Sequence, residues 1–409
     1  MAEGNFKHVL IDDLVPGMFV NQVLKQSGQL RIKSKGLVKN WDVIDSLKGR
    51  GIQEVEVDLS RSIQKEIDKH SNKATEQEVP QENHYIPPEK TEGEALNDAQ
   101  KLYDKAKLAH SRFLKKVQAG DLGNLQALKD TSQELVDSLF ENSNAIMCLT
   151  LIKEDNEYLL QHSLNNAILM GMFAKHLGFD KELIEELSLA GLLMDTGMAT
   201  MPDDIHNKSQ KLSNSEWNIV KTHVDIGIEM IEQSVGEGGE ISETVLSTIA
   251  NHHERLDGSG YPVGKKGENI STYGRMAAIV DTYDALTSNR PYRKALPPTT
   301  ALKKLLADDS GKLDQSLVQQ FIKCVGVHPV GSLVKLKSDK LGIIIKANHI
   351  EPLKPVIMTF YSIKSGNHTE LKRLDLSKVK DDIVTSVRPE EFRINLTKFF
   401  REIFLANMK

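Results

Sequence analysis

From about residue 145 to residue 327 the apolar side chains recur every three to four positions, with almost none of the alternation of a strand. A chain patterned this way buries its apolar faces by stacking helix on helix. The helix boundaries agree. Asp180 stands as an N-cap before Leu183, Ile184, Leu187 and Met194. Ser213, with Glu216 three residues later, forms a capping box ahead of Trp217, Val220 and Val224. The flanks read differently. Residues 5–58 suggest a small α+β unit, with strands at His8–Ile11 and Phe19–Leu24 around a Pro16-Gly17 turn. A helix carrying Trp41, Ile44 and Leu47 follows, closed by Gly51, and then an edge strand at Gln53–Asp58. Past Val330 short strands are expected at Leu333–Leu336, Gly342–Ile345 and Pro355–Tyr361.

The length of 409 residues exceeds the roughly 250–300 residues at which one core stops growing. The pattern divides the chain into an N-terminal α+β domain at 1–59, a flexible polar linker at 60–92, connecting helices at 93–144, the helical domain at 145–327 and a β-rich tail at 328–409. The linker is predicted from its Lys, Glu, Gln, Asn and Pro content. The connecting helices carry Leu96, Leu102, Leu108 and Phe113, then Leu125, Leu128, Leu135 and Phe140, and are a candidate surface for a homodimer. A net charge of −5 argues against nucleic acid as a partner, and no Lys/Arg block suits a membrane surface. No apolar run reaches the roughly 18 residues of a membrane span, and the first residues lack the apolar core of a signal peptide. A cytoplasmic location is expected, with Cys148 and Cys324 as buried free thiols. An anionic substrate must then be held by a local site.

One constellation could supply it. His162, Asp195, His223, the pair His252-His253 and Asp281 all fall in the helical region. Imidazole nitrogens with carboxylate oxygens suit borderline first-row cations, and a carboxylate can bridge two of them. Taken singly these residues are weak signals, since a histidine on an apolar stripe, such as His223 after Ile219 and Val220, is more often a satisfied core residue. The Gly-Ser-Gly-Tyr-Pro loop behind His252-His253 adds weight, because its glycines let a substrate approach the backbone.

The run His252-His-Glu-Arg-Leu-Asp-Gly-Ser-Gly-Tyr-Pro262 resembles the signature of the HD-GYP family, a subgroup of the HD phosphohydrolases. The segment Ile279-Val-Asp-Thr-Tyr-Asp-Ala-Leu-Thr-Ser-Asn-Arg-Pro-Tyr-Arg293 is similar to a second motif of that family. Asp12-Asp-Leu-Val-Pro-Gly-Met18 is similar to part of a small domain of uncharacterised function often fused in front of it. The resemblance implies a mainly α fold, an HD-type all-helical bundle, here with a small N-terminal α+β domain and a small C-terminal β-rich module. It implies a phosphodiesterase that hydrolyses cyclic di-GMP to pGpG or GMP with two divalent metal ions, iron or manganese. Metal roles then fall to His162, Asp195, His223, His252, His253 and Asp281, with Asp195 as the bridging, catalytic carboxylate. Tyr261, Arg290 and Arg293 become substrate contacts, a guanidinium matching phosphate oxygens in a bidentate pair.

The first motif of the family, His-Asp-x-Gly-Lys, departs from this pattern as Met194-Asp-Thr-Gly-Met198. A thioether is a poor replacement for imidazole at an N/O site, so one metal position is expected to lack a ligand. Met198 brings no charge to the phosphate. The two methionines, four apart, also fit as an extension of their helix's apolar stripe. Tyr158 stands where some members carry a metal-binding glutamate, which points to no more than two metals. Three functions stay open: an active cyclic di-GMP phosphodiesterase, an impaired domain that acts as a cyclic dinucleotide receptor or as an adaptor for signalling proteins, or an HD hydrolase with a different phosphate substrate.

Overall fold

The computed structural model describes residues 6–26, 35–39, 43–44, 47–48, 51–63, 91–121, 125–152, 157–206, 208, 210–235, 240–290, 293–308, 310–348 and 350–399. Trp41 and nearly all of the expected linker lie outside the described residues. The chain forms two compact units, Met1–Pro88 and Glu89–Lys409.

In the first unit, β1 (Phe6–Leu10), β2 (Phe19–Gln26), β3 (Gly36–Leu37) and β4 (Ile52–Asp58) form an antiparallel sheet in the order β1-β4-β2-β3. β4 therefore lies inside the sheet, paired on both sides, and not at the expected edge. Its alternation reflects one buried face: Ile52, Val55 and Val57 join Val9, Leu14 and Val20 in a small core. Alternation reports burial on a face and carries no information about pairing at the edges.

The second unit is the helical bundle. α1 (Glu92–Gln118) starts at a Thr91/Glu94 capping box and pairs with α2 (Leu125–Leu149). The buried stripe of α1 runs through Tyr103, Ala106, His110, Phe113 and Val117. Leu108 sits two residues past Ala106, on the opposite side of the helix, and is exposed. Phe140 is likewise exposed, its ring 4.6 Å from the Lys175 ammonium. The core of the unit is formed by α3 (Tyr158–His176), α4 (Lys181–Leu193), α5 (Asn214–Lys221), α6 (His223–Gln233), α7 (Glu243–Asn251), α8 (Thr272–Thr287), α9 (Pro298–Leu306) and α10 (Gln315–Val325). Side chains 161–171 of α3 are buried without a break. Gly191 of α4 lets the two helices close up, since a Cβ there would lie 2.7 Å from the Asn166 carbonyl oxygen.

The C-terminal module is a five-stranded antiparallel sheet in the order β8-β7-β6-β5-β9. Its strands are β5 (Leu333–Leu336), β6 (Lys340–Lys346), β7 (Val356–Ser362), β8 (Asn367–Asp375) and β9 (Ile383–Ser386). Its buried residues share one core with the helices. Gly331, at φ 90°, passes so close to α2 that a Cβ would sit 2.5 Å from the Cys148 carbonyl oxygen. Cys148 and Cys324 are free and buried. Among the described residues no helix is long and apolar enough to cross a membrane.

Candidate metal centre

Five segments deliver the six donor residues to one place. α3 carries His162, the turn after α4 carries Asp195, and α6 opens on His223. His252 caps the end of α7, His253 follows it, and Asp281 lies midway along α8. α4 stops at Leu193, and the chain turns at Asp195 into a 3-10 helix, Thr196–Thr200. That short helix presses on α6: a Cβ on Gly197 would lie 2.1 Å from the His223 carbonyl oxygen. Only a glycine allows this approach, which leaves Asp195 Oδ1 3.6 Å from His223 Nε2.

The histidine tautomers follow from their partners. His223 Nδ1 lies 2.7 Å from the Val220 carbonyl and His252 Nδ1 2.6 Å from that of Ile249. A carbonyl oxygen only accepts, so each Nδ1 carries a proton and Nε2 is the nitrogen whose lone pair a neutral ring would offer. Those two Nε2 atoms face each other at 3.5 Å. Burial, and then the neighbouring His223, holds His252 below its ordinary pKa despite nearby Asp195; burial and His252 do the same to His253 more strongly. Lone pairs converging on a buried carboxylate, with the outer nitrogens anchored to backbone carbonyls, fit the donor set of a cation site.

His162 sits among three carboxylates. Its Nδ1 is 2.6 Å from Asp284 Oδ2, and its Nε2 is 3.0 Å from Asp281 Oδ1 and 3.3 Å from Asp195 Oδ2. Burial would lower the imidazole, but hydrogen bonds to Asp281 and Asp284 outweigh it and carry His162 up to about 10. Burial would raise Asp281, and the bond from His162 instead holds it below the usual carboxylate range. Asp195 Oδ2 is buried with no hydrogen-bond partner among the described residues. Such a cluster needs a positive charge, which a cation can supply once His162 gives up its proton.

The donors form two overlapping sets, Asp195 with His223, His252 and His253, and His162 with Asp195 and Asp281; within each set the donor atoms lie within 4.8 Å of one another. Asp195 belongs to both. The three-donor set is the poorer one. Met194 is fully buried in the apolar core, whereas Met198 lines the cleft above the centre. The expectation that they extend one helical stripe fails, because α4 ends between Leu193 and Met194 and the 3-10 helix turns Met198 outward. Tyr158, at the start of α3, stacks on the His162 ring with centroids 5.1 Å apart. Glu157 is ion-paired with Lys107.

The loop after His253 is held by Glu254, a buried side chain absent from the sequence-based site. Its carboxylate accepts from the backbone N–H groups of Val263, Gly264 and Lys265 at 2.9–3.1 Å. Gly260 is tucked beneath, where a Cβ would lie 2.4 Å from the Arg255 nitrogen. This places Tyr261 against His253, ring centroids 4.6 Å apart. Tyr261, Arg290 and Arg293 all line a cleft of about 500 Å³ over the donors. Arg290 lies over the Tyr158 ring and bonds its hydroxyl, and Arg293 donates to the Ala285 carbonyl. Lys221, Arg255, Lys312 and Trp217 line the same cleft and were not anticipated. Asp284, also missed, lies three residues after Asp281 on the same helix face, a spacing that could have flagged it.

A family described as HD domain matches residues 147–317, and a domain of unknown function, DUF3391, matches residues 6–128. The chain is 33% identical over 299 residues to the cyclic di-GMP phosphodiesterase PA4108 of Pseudomonas aeruginosa, covering 73% of this chain and 71% of that protein. It is 35% identical over 153 residues to the cyclic di-GMP phosphodiesterase response regulator RpfG of Xanthomonas campestris, covering 37% of this chain and 40% of that one. With 3'3'-cGAMP-specific phosphodiesterase 1 of Vibrio cholerae the identity is 32% over 182 residues, 44% of this chain and 41% of the relative. The chain thus spans most of the first relative and less than half of the other two.

Proposed function

The chain belongs to the HD-GYP family of HD-domain proteins, and on that premise we propose that it is a metal-dependent phosphodiesterase acting on cyclic di-GMP or a closely related cyclic dinucleotide. The observation that carries this is the pair of buried donor sets sharing Asp195 at the floor of a cleft walled by Lys221, Arg255, Arg290, Arg293 and Lys312. His223, His252 and His253 with Asp195 would hold one divalent cation, and His162, Asp195 and Asp281 a second, with iron or manganese suiting the N/O set. When bound, the pair activates water and stabilises charge building on phosphate oxygens.

The protein's own groups do the rest. Asp284 accepts the hydrogen bond from His162 Nδ1–H and keeps Nε2 aimed at Asp195 and Asp281. Arg290 and Arg293 offer guanidinium N–H groups to phosphate oxygens, and Tyr261 closes the loop side of the cleft. Burial, foremost, raises the Tyr261 hydroxyl above its ordinary value, so it stays protonated and serves as a donor.

The incomplete donor set beside Met194 favours a second function, a cyclic dinucleotide receptor that hydrolyses slowly or not at all. Metal analysis of the purified protein, with chromatography of cyclic di-GMP incubated in Mn(II) or Fe(II), separates the two. The enzyme yields pGpG or GMP, and Asp195→Ala abolishes both product and bound metal. Tight binding without product establishes the receptor, and neither binding nor product defeats both.

A further inference from the structure

A cyclic dinucleotide has two purines and two phosphates, so groups beyond the metal donors must hold whatever lies outside the scissile bond. Besides the donor imidazoles, three aromatic rings line the cleft among the described residues: Tyr158, Trp217 and Tyr261. Tyr158 is already engaged, by the His162 ring at 5.1 Å and by the Arg290 guanidinium at 4.7 Å. Tyr261 lies against His253 at 4.6 Å. Trp217 meets Tyr261 edge-to-face at 5.8 Å and is 41% exposed. Of these three side chains it alone is exposed, Tyr158 and Tyr261 being half-buried.

Lys221 follows Trp217 by four residues on α5, so both side chains project from one face of the helix. It touches only Asn218, at 3.4 Å on the exposed side, among the hydrogen bonds of the described residues. The three arginines of the cleft are more committed. Arg255 donates to the carbonyls of His252 and Glu254, and Arg290 and Arg293 are engaged as above. α5 itself is fixed at its start, where Glu216 accepts from Ser213 N–H at 2.7 Å and pairs with Lys208 at 2.6 Å. A pinned helix thus presents an exposed indole and an ammonium one turn apart, lining a cleft in which Met198 brings no charge.

We propose that Trp217 and Lys221 form a subsite at the mouth of the cleft in which a purine stacks on the indole and the adjoining phosphate pairs with the ammonium. This rests on the phosphodiesterase or receptor reading of the same cleft. The chemistry is sequence-tolerant stacking plus a point charge, so guanine and adenine rings both fit.

The chain has two tryptophans, Trp41 and Trp217, so a Trp41→Phe protein reports Trp217 alone. Titration with a hydrolysis-resistant phosphorothioate analogue of cyclic di-GMP should quench its indole fluorescence. In steady-state hydrolysis, or in binding if turnover is absent, Trp217→Ala should raise KM or Kd by about 10-fold or more. Trp217→Phe should recover most of that loss, with kcat changing far less than KM. Lys221→Gln should raise KM and flatten its dependence on salt, and Lys221→Arg should restore both. Turnover or binding with a silent Trp217 and an unchanged KM in Trp217→Ala overturns the subsite while leaving the function intact. If the parent protein neither binds nor hydrolyses the dinucleotide, the function and the subsite fall together.

Discussion

Asp284 lies one turn along α8 from Asp281, and its carboxylate is shared by His162 Nδ1, Asn165 Nδ2 and Ser288 Oγ. Asp284→Asn keeps the shape and removes the charge that fixes the His162 tautomer. Metal affinity should fall about 10- to 100-fold, the usual loss when such an outer partner goes. A metal titration with unchanged affinity would show that His162 needs no such orientation. Met198 offers the converse test, because it already faces the cleft. Met198→Lys should raise kcat, by up to about 10²–10³ if the ammonium reaches the developing phosphate charge. Met194 stands in the packed core beside the turn, so Met194→His should instead raise metal occupancy. A double substitution that moves neither kcat nor metal content would mean that the family pattern is irrelevant here.

Between elements, the centre depends on how closely the 3-10 helix Thr196–Thr200 approaches α6. A Cβ on Gly197 would meet the His223 carbonyl oxygen at 2.1 Å and the Gly227 nitrogen at 2.8 Å, both backbone atoms that cannot swing aside. Gly197→Ala should push Asp195 away from His223. The outcome is metal loss from the four-donor set and destabilisation of about 1–3 kcal/mol, the range for overpacking. Metal analysis and thermal melting read both effects, and full occupancy in the variant would refute the spacer role. The same scale explains what was legible in the sequence. The helices were readable because caps and apolar period mark them locally, and His252, His253 and Asp281 stood out as candidate donors because two dense motifs contain them, whereas His162, Asp195 and His223 were candidates chiefly through the family resemblance. β8, Asn367–Asp375, was not, since its side chains are mostly exposed and show no apolar alternation. The capping box at Ser213 marks the helix that carries Trp217 and not the place of the indole, which is exposed and lines the cleft where the helix breaks at Thr222. Glu254 was invisible as an organiser because its partners are backbone N–H groups nine to eleven residues on.

Across the whole second unit, helices and C-terminal sheet share a single core, so the buried charges at the centre bear on the stability of that entire body. Without metal, His162 is raised to about 10 and Asp281 is depressed. A raised histidine contributes stability that is complete below its unfolded value of about 6.5 and is lost as pH rises towards the folded value. A depressed aspartate contributes above its unfolded value of about 3.9 and loses that contribution as pH falls. The chelated protein should therefore be most stable between roughly pH 4 and 6.5 as far as this pair decides it, with Tm declining from there towards pH 10. Metal must displace the His162 proton to use Nε2, so its affinity should climb over that same alkaline window. Melting curves with chelator and with Mn(II) across pH 6 to 10 should therefore diverge as pH rises. A chelated Tm that stays flat, with a metal-induced shift independent of pH, would mean that His162 is neutral in the metal-free centre and that another charge balances Asp195, Asp281 and Asp284.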